Sequence, residues 1–215
     1  MSAVRAVAFD FNGTLSHDEP ILYAVYSAMF SERGRPLTEH DYFGTLAGLS
    51  EETIIGTWLG VDGPELAELV EERIERYLAL AAGGDTVPIR VREAVAFAAR
   101  RVPVAVVSGA FRREIEPVLE GAGLASRIAE VVAADDVERG KPDPEGYLRA
   151  LELLRADLRP HEALAFEDTE AGVTSAKAAG LYCVGVLGTH PPERLGRADE
   201  LVDAIDVGVL QRLLA

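Results

Sequence analysis

Lysine is the scarcest charged residue in this sequence: Lys141 and Lys177 are its only two, against 36 acidic residues, and the formal net charge is −15. Basic side chains clustered on one face are what hold a phosphate backbone, so this deficit argues against DNA or RNA as a partner. Any role that needs an amine has two candidates. Cysteine is nearly absent too. Cys183 stands alone in the apolar run Leu181 to Leu187, cannot close an internal disulfide and reads as a buried strand residue. No apolar stretch reaches the ~20 residues that a membrane span needs, and the first residues carry neither the basic nor the long apolar region of a signal peptide. The sequence therefore predicts a cytoplasmic protein with no membrane partner.

At 215 residues the chain has room for one α/β core and a small inserted unit, but not for two large independent domains. Val4 to Phe9 is a short apolar run ending at Asp10 and followed by Asn12-Gly13-Thr14, the pattern of a buried strand that hands a polar residue to a loop. Comparable runs recur at Val102 to Val107, Ile128 to Ala133, Ala163 to Phe166 and Cys183 to Leu187. Helical patterns lie between them at Val91 to Arg101, Phe111 to Glu120, Pro144 to Leu154 and Ala171 to Ala179. Such strict alternation predicts an α/β fold, a Rossmann-like parallel sheet with helices on both faces. The alternation is suspended between Ser16 and Gly84, where the periodicity is helical: Pro20 to Arg33, Thr38 to Leu46, Glu51 to Leu59 and Pro64 to Leu80. Residues 16–84 are expected to form an inserted α-helical cap with Gly83-Gly84-Asp85 as a flexible return, and residues 1–15 and 85–215 the core that carries the chemistry.

In open α/β sheets, ligands bind beyond the carboxyl ends of the strands. Four of the predicted strands deliver polar residues there: Asp10, Ser108, Asp135 with Asp136, and Glu167 with Asp168. A carboxylate at Asp10 can attack phosphorus or carbon, and Gly13 permits a tight turn whose backbone N–H groups face an anion. The plainer alternative is a turn that caps a strand. Ser108-Gly109-Ala110 offers a hydroxyl and free amides ahead of a helix, a setting for phosphate oxygens or an ordinary N-cap. Lys141 would neutralise charge on a nucleophile and a transferring phosphoryl group, unless it is a solvated loop lysine. Adjacent Glu167 and Asp168 would make a hard oxygen site for magnesium, with helix capping by Asp168 as the alternative.

In this order, Asp10-Phe11-Asn12-Gly13-Thr14-Leu15, Val107-Ser108-Gly109-Ala110, Gly140-Lys141-Pro142 and Glu167-Asp168-Thr169 resemble the motifs of the haloacid-dehalogenase-like hydrolase superfamily, in its beta-phosphoglucomutase-like branch with a helical cap. The resemblance implies a magnesium-dependent hydrolase, a phosphatase of a small phosphorylated metabolite that works through an aspartyl-phosphate on Asp10. Lys141 would stabilise charge, and Thr14, Ser108, Gly109 and Ala110 would bind the substrate. Mg²⁺ would sit among Asp10, the backbone carbonyl of Asn12, Glu167 and Asp168.

The sequence departs from that family pattern at residue 12. Phosphatases of the family carry a second Asp there, which protonates the leaving group and then activates water. The Asn12 amide can offer its backbone carbonyl to a metal, but its side chain cannot exchange a proton. Such a proton transfer is worth about 10² to 10⁴ in rate, so substrates with good leaving groups are expected to fare best, and His17 is the sequence's nearest substitute base. A phosphonate-cleaving relative would need a cap lysine, and residues 16–84 contain none. A carbon–halogen cleaving relative would need no metal, which the pair Glu167 and Asp168 disfavours. Leu46-Ala47-Gly48-Leu49-Ser50-Glu51-Glu52-Thr53 resembles the specificity segment of sugar phosphomutases, but Glu51 stands where those carry a base and would repel a second phosphate unless Arg33 or Arg35 replaces it. Tyr23, Tyr26, Phe30, Tyr42, Phe43 and Trp58 suit a cap core better than a pocket. A rival reading is a catalytically quiet relative that binds a phosphorylated ligand or a protein partner.

Overall fold

The computed structural model describes residues 3–155 and 157–215. Six strands form one parallel sheet: β1 (Ala6–Phe9), β2 (Val104–Val107), β3 (Glu130–Val132), β4 (Ala163–Glu167), β5 (Tyr182–Val186) and β6 (Glu200–Val202), in the spatial order β3-β2-β1-β4-β5-β6. The order reverses between β1 and β4, the switch point where parallel α/β sheets open a crevice at their carboxyl ends. Phe9 pairs with Phe166 across it, and their rings stack at 5.0 Å. The two strands therefore end level.

Alternation along the strands sorts side chains by size. Val7, Phe9, Val104, Val106, Leu164 and Phe166 face a cluster shared with helices α5 (Ile89–Ala99), α6 (Arg112–Gly121) and α9 (Val207–Leu213). Ala6, Ala8, Ala105, Ala163 and Ala165 face the opposite way, toward α7 (Glu145–Leu154) and α8 (Glu170–Ala178). Strands buried on both sides cannot show polar alternation. Small residues on one face let two helices approach closely, and large residues on the other fill the space beneath three.

Between β1 and α5 the chain forms α1 (Glu19–Glu32), α2 (Glu39–Asp41) running into a π turn (Tyr42–Leu46), α3 (Glu51–Leu59) and α4 (Gly63–Ala81). Local chemistry marks the helix ends: Pro20 starts α1, the Ser50 side chain accepts from Thr53 N at α3, and Gly60 ends that helix at φ 73°. Tyr26, Met29, Phe30 and Tyr77 from these helices belong to the same apolar cluster as Phe9 and Phe166. The aromatic residues mainly pack on one another, as with Phe30 on Trp58 and Tyr42 against Phe43. The segment's two ends meet, with Ser16 Oγ 2.8 Å from Thr86 Oγ1 and His17 N donating to Thr86 O at 2.8 Å.

Two features differ from the sequence reading. The alternation continues past Leu187 into β6 and α9, and β6 escaped because it is only Glu-Leu-Val, half exposed at the sheet edge, with no apolar run to announce it. The return at Gly83-Gly84 is a packed joint as well as a turn. Gly84 has φ 78°, Arg92 Nη2 donates to its carbonyl at 2.7 Å, and a Cβ there would lie 2.2 Å from Ala122 N. Among the described residues no helix is long and apolar enough to cross a membrane.

Gly84→Ala should therefore cost roughly 2–4 kcal/mol of unfolding free energy, since left-handed backbone and overlap with main chain add. Gly83→Ala, where the nearest atom would be 3.8 Å away, should cost less than about 1 kcal/mol. Urea unfolding of both variants checks the contrast.

Candidate active site

Asp10 is the first residue past β1, and its N–H donates to Phe166 O at 2.9 Å, which sets it beside Glu167 and Asp168 at the end of β4. Lys141 reaches in from the loop before α7. Its Nζ lies 2.5 Å from Asp10 Oδ1 and 2.6 Å from Glu167 Oε1, and it donates to Val107 O at 2.9 Å. Tyr147 on α7 donates its hydroxyl to the same Glu167 oxygen at 2.6 Å. Thr14 Oγ1 donates to Asp168 Oδ1 at 2.8 Å.

Two bare glycines make room for the acidic pair: a Cβ at Gly172 would sit 1.8 Å from Glu167 Oε2, and one at Gly13 2.0 Å from Asp168 Oδ2. Neither Glu167 Oε2 nor Asp168 Oδ2, both buried, has a hydrogen-bond partner among the described residues. Oxygens of Asp10, Glu167 and Asp168 lie within 4.8 Å of one another. Three carboxyls thus face one ammonium. Burial pushes Glu167 up to about 7, with Lys141 pulling it down and Asp10 adding to the rise. Burial, then the charges of Asp10 and Glu167, hold Asp168 well above the carboxylate range. Burial alone would lower Lys141, but Asp10 and Glu167 outweigh it and keep the ammonium charged. Surplus negative charge, orphaned oxygens and all-oxygen donors suit a hard divalent cation such as Mg²⁺.

Ser108 ends β2, and its Oγ accepts from Ala110 N at 3.1 Å. Ser108, Gly109, Ala110, Asp10, Asn12 and Lys141 line one side of a cavity of about 290 Å³, and Glu19, Tyr42, Glu51 and Arg73 line the other. Thr14 is absent from that wall, because its hydroxyl lies buried on Asp168. Asp135 and Asp136 reach the same sheet edge but turn away: Asp135 Oδ1 accepts from Arg112 N, and Asp136 Oδ2 takes the Arg112 guanidinium and Ala133 N. His17 is exposed and outside the cavity.

Asn12 donates through Nδ2 to Asp18 Oδ2 at 3.0 Å, and Tyr77 OH donates to that same oxygen at 2.5 Å. Asp18 is fully buried, and burial raises its carboxyl against the pull of those hydrogen bonds. Glu19, one residue on, accepts from Tyr42 OH at 3.0 Å; burial, then the charges of Asp18 and Asp10, push it up to about 7. Across the cavity, Glu51 does not stand as a free charge. The guanidinium of Arg73, 2% exposed, lies 3.3 Å from it, is hydrogen-bonded to Glu114 on α6, and rests over the rings of Tyr26 and Tyr77. Arg33 and Arg35 point elsewhere, to Glu72 and to Trp58 O. Sequence reasoning missed Asp18, Glu19, Arg73, Tyr77 and Tyr147. A lone charged residue in an amphipathic helix reads as solvated, and only the Asp18-Glu19-Pro20 helix start carried a local signal.

The Asn12–Asp18 contact sets up a pH test. Asn12→Asp would place two carboxyls about 3 Å apart, and one must keep its proton. A folded-state pKa raised above the unfolded value means the folded protein binds more protons, so stability falls as pH rises from the unfolded pKa through the raised one. With magnesium chelated, Asn12→Asp should match the parent near pH 4 and be about 1–3 kcal/mol less stable at pH 8, as measured by urea unfolding.

Comparison with known proteins agrees with this geometry. The sequence profile of the haloacid dehalogenase-like hydrolases matches residues 4–180. The chain is 32% identical over 200 residues to a validoxylamine A 7'-phosphate phosphatase of Streptomyces hygroscopicus subsp. limoneus, covering 92% of each chain. It is 31% identical over 193 residues to a phosphoglycolate phosphatase of Pectobacterium atrosepticum, covering 86% of this chain and 81% of that one. Among solved structures, CbbY of Rhodobacter sphaeroides in complex with phosphate superimposes with a TM-score of 0.82 at 25% identity, covering 94% of this chain and 95% of that one. With a profile match over most of its length, relatives named as phosphatases and a parallel sheet that gathers Asp10, Ser108, Lys141, Glu167 and Asp168 at one edge, the chain belongs to the haloacid dehalogenase-like hydrolases.

Proposed function

We propose that this protein is a magnesium-dependent phosphatase of a small phosphorylated metabolite, with Asp10 as nucleophile and residues 16–84 as a cap over the site. The observation that carries this reading is Lys141, clamped between Asp10 and Glu167 on the floor of a cavity whose opposite wall comes from the inserted helices. A volume of about 290 Å³ lies just below the ~300–1,000 Å³ range of drug-sized ligand sites and suits a small molecule. The relatives named above also act, by their names, on small phosphorylated molecules.

In this mechanism an oxygen of Asp10 attacks phosphorus, and the ester oxygen leaves as the aspartyl-phosphate forms. Lys141 holds Asp10 in place, and its charge offsets that on the phosphoryl oxygens. Ser108 and the amides of Gly109 and Ala110 hold those oxygens ahead of α6. Asp10, the Asn12 carbonyl and Asp168 would hold magnesium, with Glu167 beside them anchoring Lys141. When bound, the ion supplies positive charge to the phosphoryl group. Asn12, fixed through its side-chain Nδ2 by Asp18, has its side-chain Oδ1 to orient a water but no group to deprotonate it.

Three outcomes are expected. Asp10→Asn should lower phosphate release from p-nitrophenyl phosphate and acetyl phosphate by at least about 10³-fold, and EDTA should abolish it in the parent. Beryllium fluoride with magnesium should raise the melting point of the parent, equivalent to about 2.7 kcal/mol at a hundredfold excess over Kd, and leave Asp10→Asn unmoved. Lys141→Ala should cost about 3–5 kcal/mol of stability, because it strands buried carboxylates, along with activity. Stabilisation by beryllium fluoride without any phosphate release would favour a binding role over a catalytic one.

A further inference from the structure

Hydrolysis of a phosphate ester needs a proton delivered to the departing oxygen and another taken from water, and Asn12 can do neither. Two carboxyls stand near it on the entry to α1. Asp18 is sealed: it is 0% exposed, its Oδ2 is held by Asn12 and Tyr77, and it does not line the cavity. Glu19 does line the cavity, together with Asp10 and Asn12. Its Oε2 is fixed by the Tyr42 hydroxyl at 3.0 Å, which leaves Oε1 for a ligand. The charge of Asp10 adds to the rise of the Glu19 carboxyl, and the charge of Glu19 adds to that of Asp168.

We propose, resting on the phosphatase reading above, that Glu19 is the proton donor and acceptor of this site, replacing the carboxyl that residue 12 lacks. In the first half-reaction Asp10 attacks phosphorus, the bond to the ester oxygen breaks, and that oxygen takes the proton of the Glu19 carboxyl. In the second, water attacks the phosphorus of the aspartyl-phosphate, Glu19 carboxylate takes the water's proton, and the bond to Asp10 breaks. Asp10 carboxylate, protonated Glu19 and inorganic phosphate result, so the cycle closes on itself.

The surroundings suit both directions of transfer. Burial disfavours the Glu19 anion most, and the carboxylates of Asp18 and Asp10 do so further, while Tyr42 OH and the Arg73 guanidinium favour it; the balance leaves the group near 7, where donor and acceptor forms coexist. Asp18 on the same helix entry, Tyr42 on the π turn, Arg73 on α4 and the strand-end pair Asp10 and Asp168 are the groups that face it.

The test is Glu19→Gln, which keeps shape and removes the proton, assayed with magnesium on substrates of different leaving group. An alkyl phosphate should be cleaved about 10²–10⁴-fold more slowly than by the parent. The burst of p-nitrophenol from p-nitrophenyl phosphate should stay within about threefold, because that leaving group needs no proton. The phosphoenzyme should then accumulate, since water loses its base. In the parent, alkyl-phosphate cleavage should fall as pH rises through the Glu19 pKa, and phosphoenzyme hydrolysis should rise through it; both limbs should vanish in Glu19→Gln. Tyr42→Phe, which removes a hydrogen bond to the anion, should move both limbs to higher pH. Equal slowing of burst, alkyl cleavage and phosphoenzyme hydrolysis would mean a structural role and overturn the assignment, as would limbs that persist without Glu19. If the parent shows no Asp10-dependent turnover of any phosphate, the phosphatase reading itself falls and takes this assignment with it; Asp10-dependent turnover indifferent to Glu19 sinks the assignment alone.

Discussion

The ion pair of Lys141 with Asp10 and Glu167 is the constraint on which the site depends. It joins the ends of β1 and β4 to the loop before α7, and among the described residues it is the only ion pair that Asp10 and Glu167 make. Removing charges from water is expensive, and one ammonium cannot balance three carboxylates. The fold meets that cost in pieces: Tyr147 and Thr14 donate hydrogen bonds to Glu167 and Asp168, and Gly172 and Gly13 leave room for them. What stays uncompensated, two orphaned carboxyl oxygens and a raised Asp168, suits a hard cation.

Asn12 looks like a defect when read alone and like half of a pair in three dimensions. Its amide is the donor to a buried Asp18, and two carboxyls at that separation could not both ionise. The amide at residue 12 is thus matched to an acid at residue 18. Asp18 is held out of the cavity, and the adjacent Glu19 is the carboxyl that opens into it.

The inserted helices contribute one wall of the cavity. Arg73 couples them to the core by its bond to Glu114 on α6, and to the cavity by its pairing with Glu51. The buried Arg73 guanidinium pairs with Glu51, so the far wall does not carry the isolated, repulsive charge that the sequence suggested.

The strand-helix alternation, the parallel sheet and the helical insert were legible in the sequence because they depend on local periodicity, and a short apolar run ending in a polar residue announces a strand edge. The same locality made Asp10, Ser108, Lys141, Glu167 and Asp168 visible, since each lies at the end of a strand or the start of a helix. Only the tertiary structure decided how residues from distant elements meet: Asp18 with Tyr77, Glu19 with Tyr42, Arg73 with Glu51 and Glu114, and Tyr147 with Glu167. It also turned Asp135, Asp136 and His17 away from the cavity. Periodicity tells which face of a helix is buried, but the partner of a buried charge is set by helix crossings and strand order, which bring together residues that the chain keeps far apart.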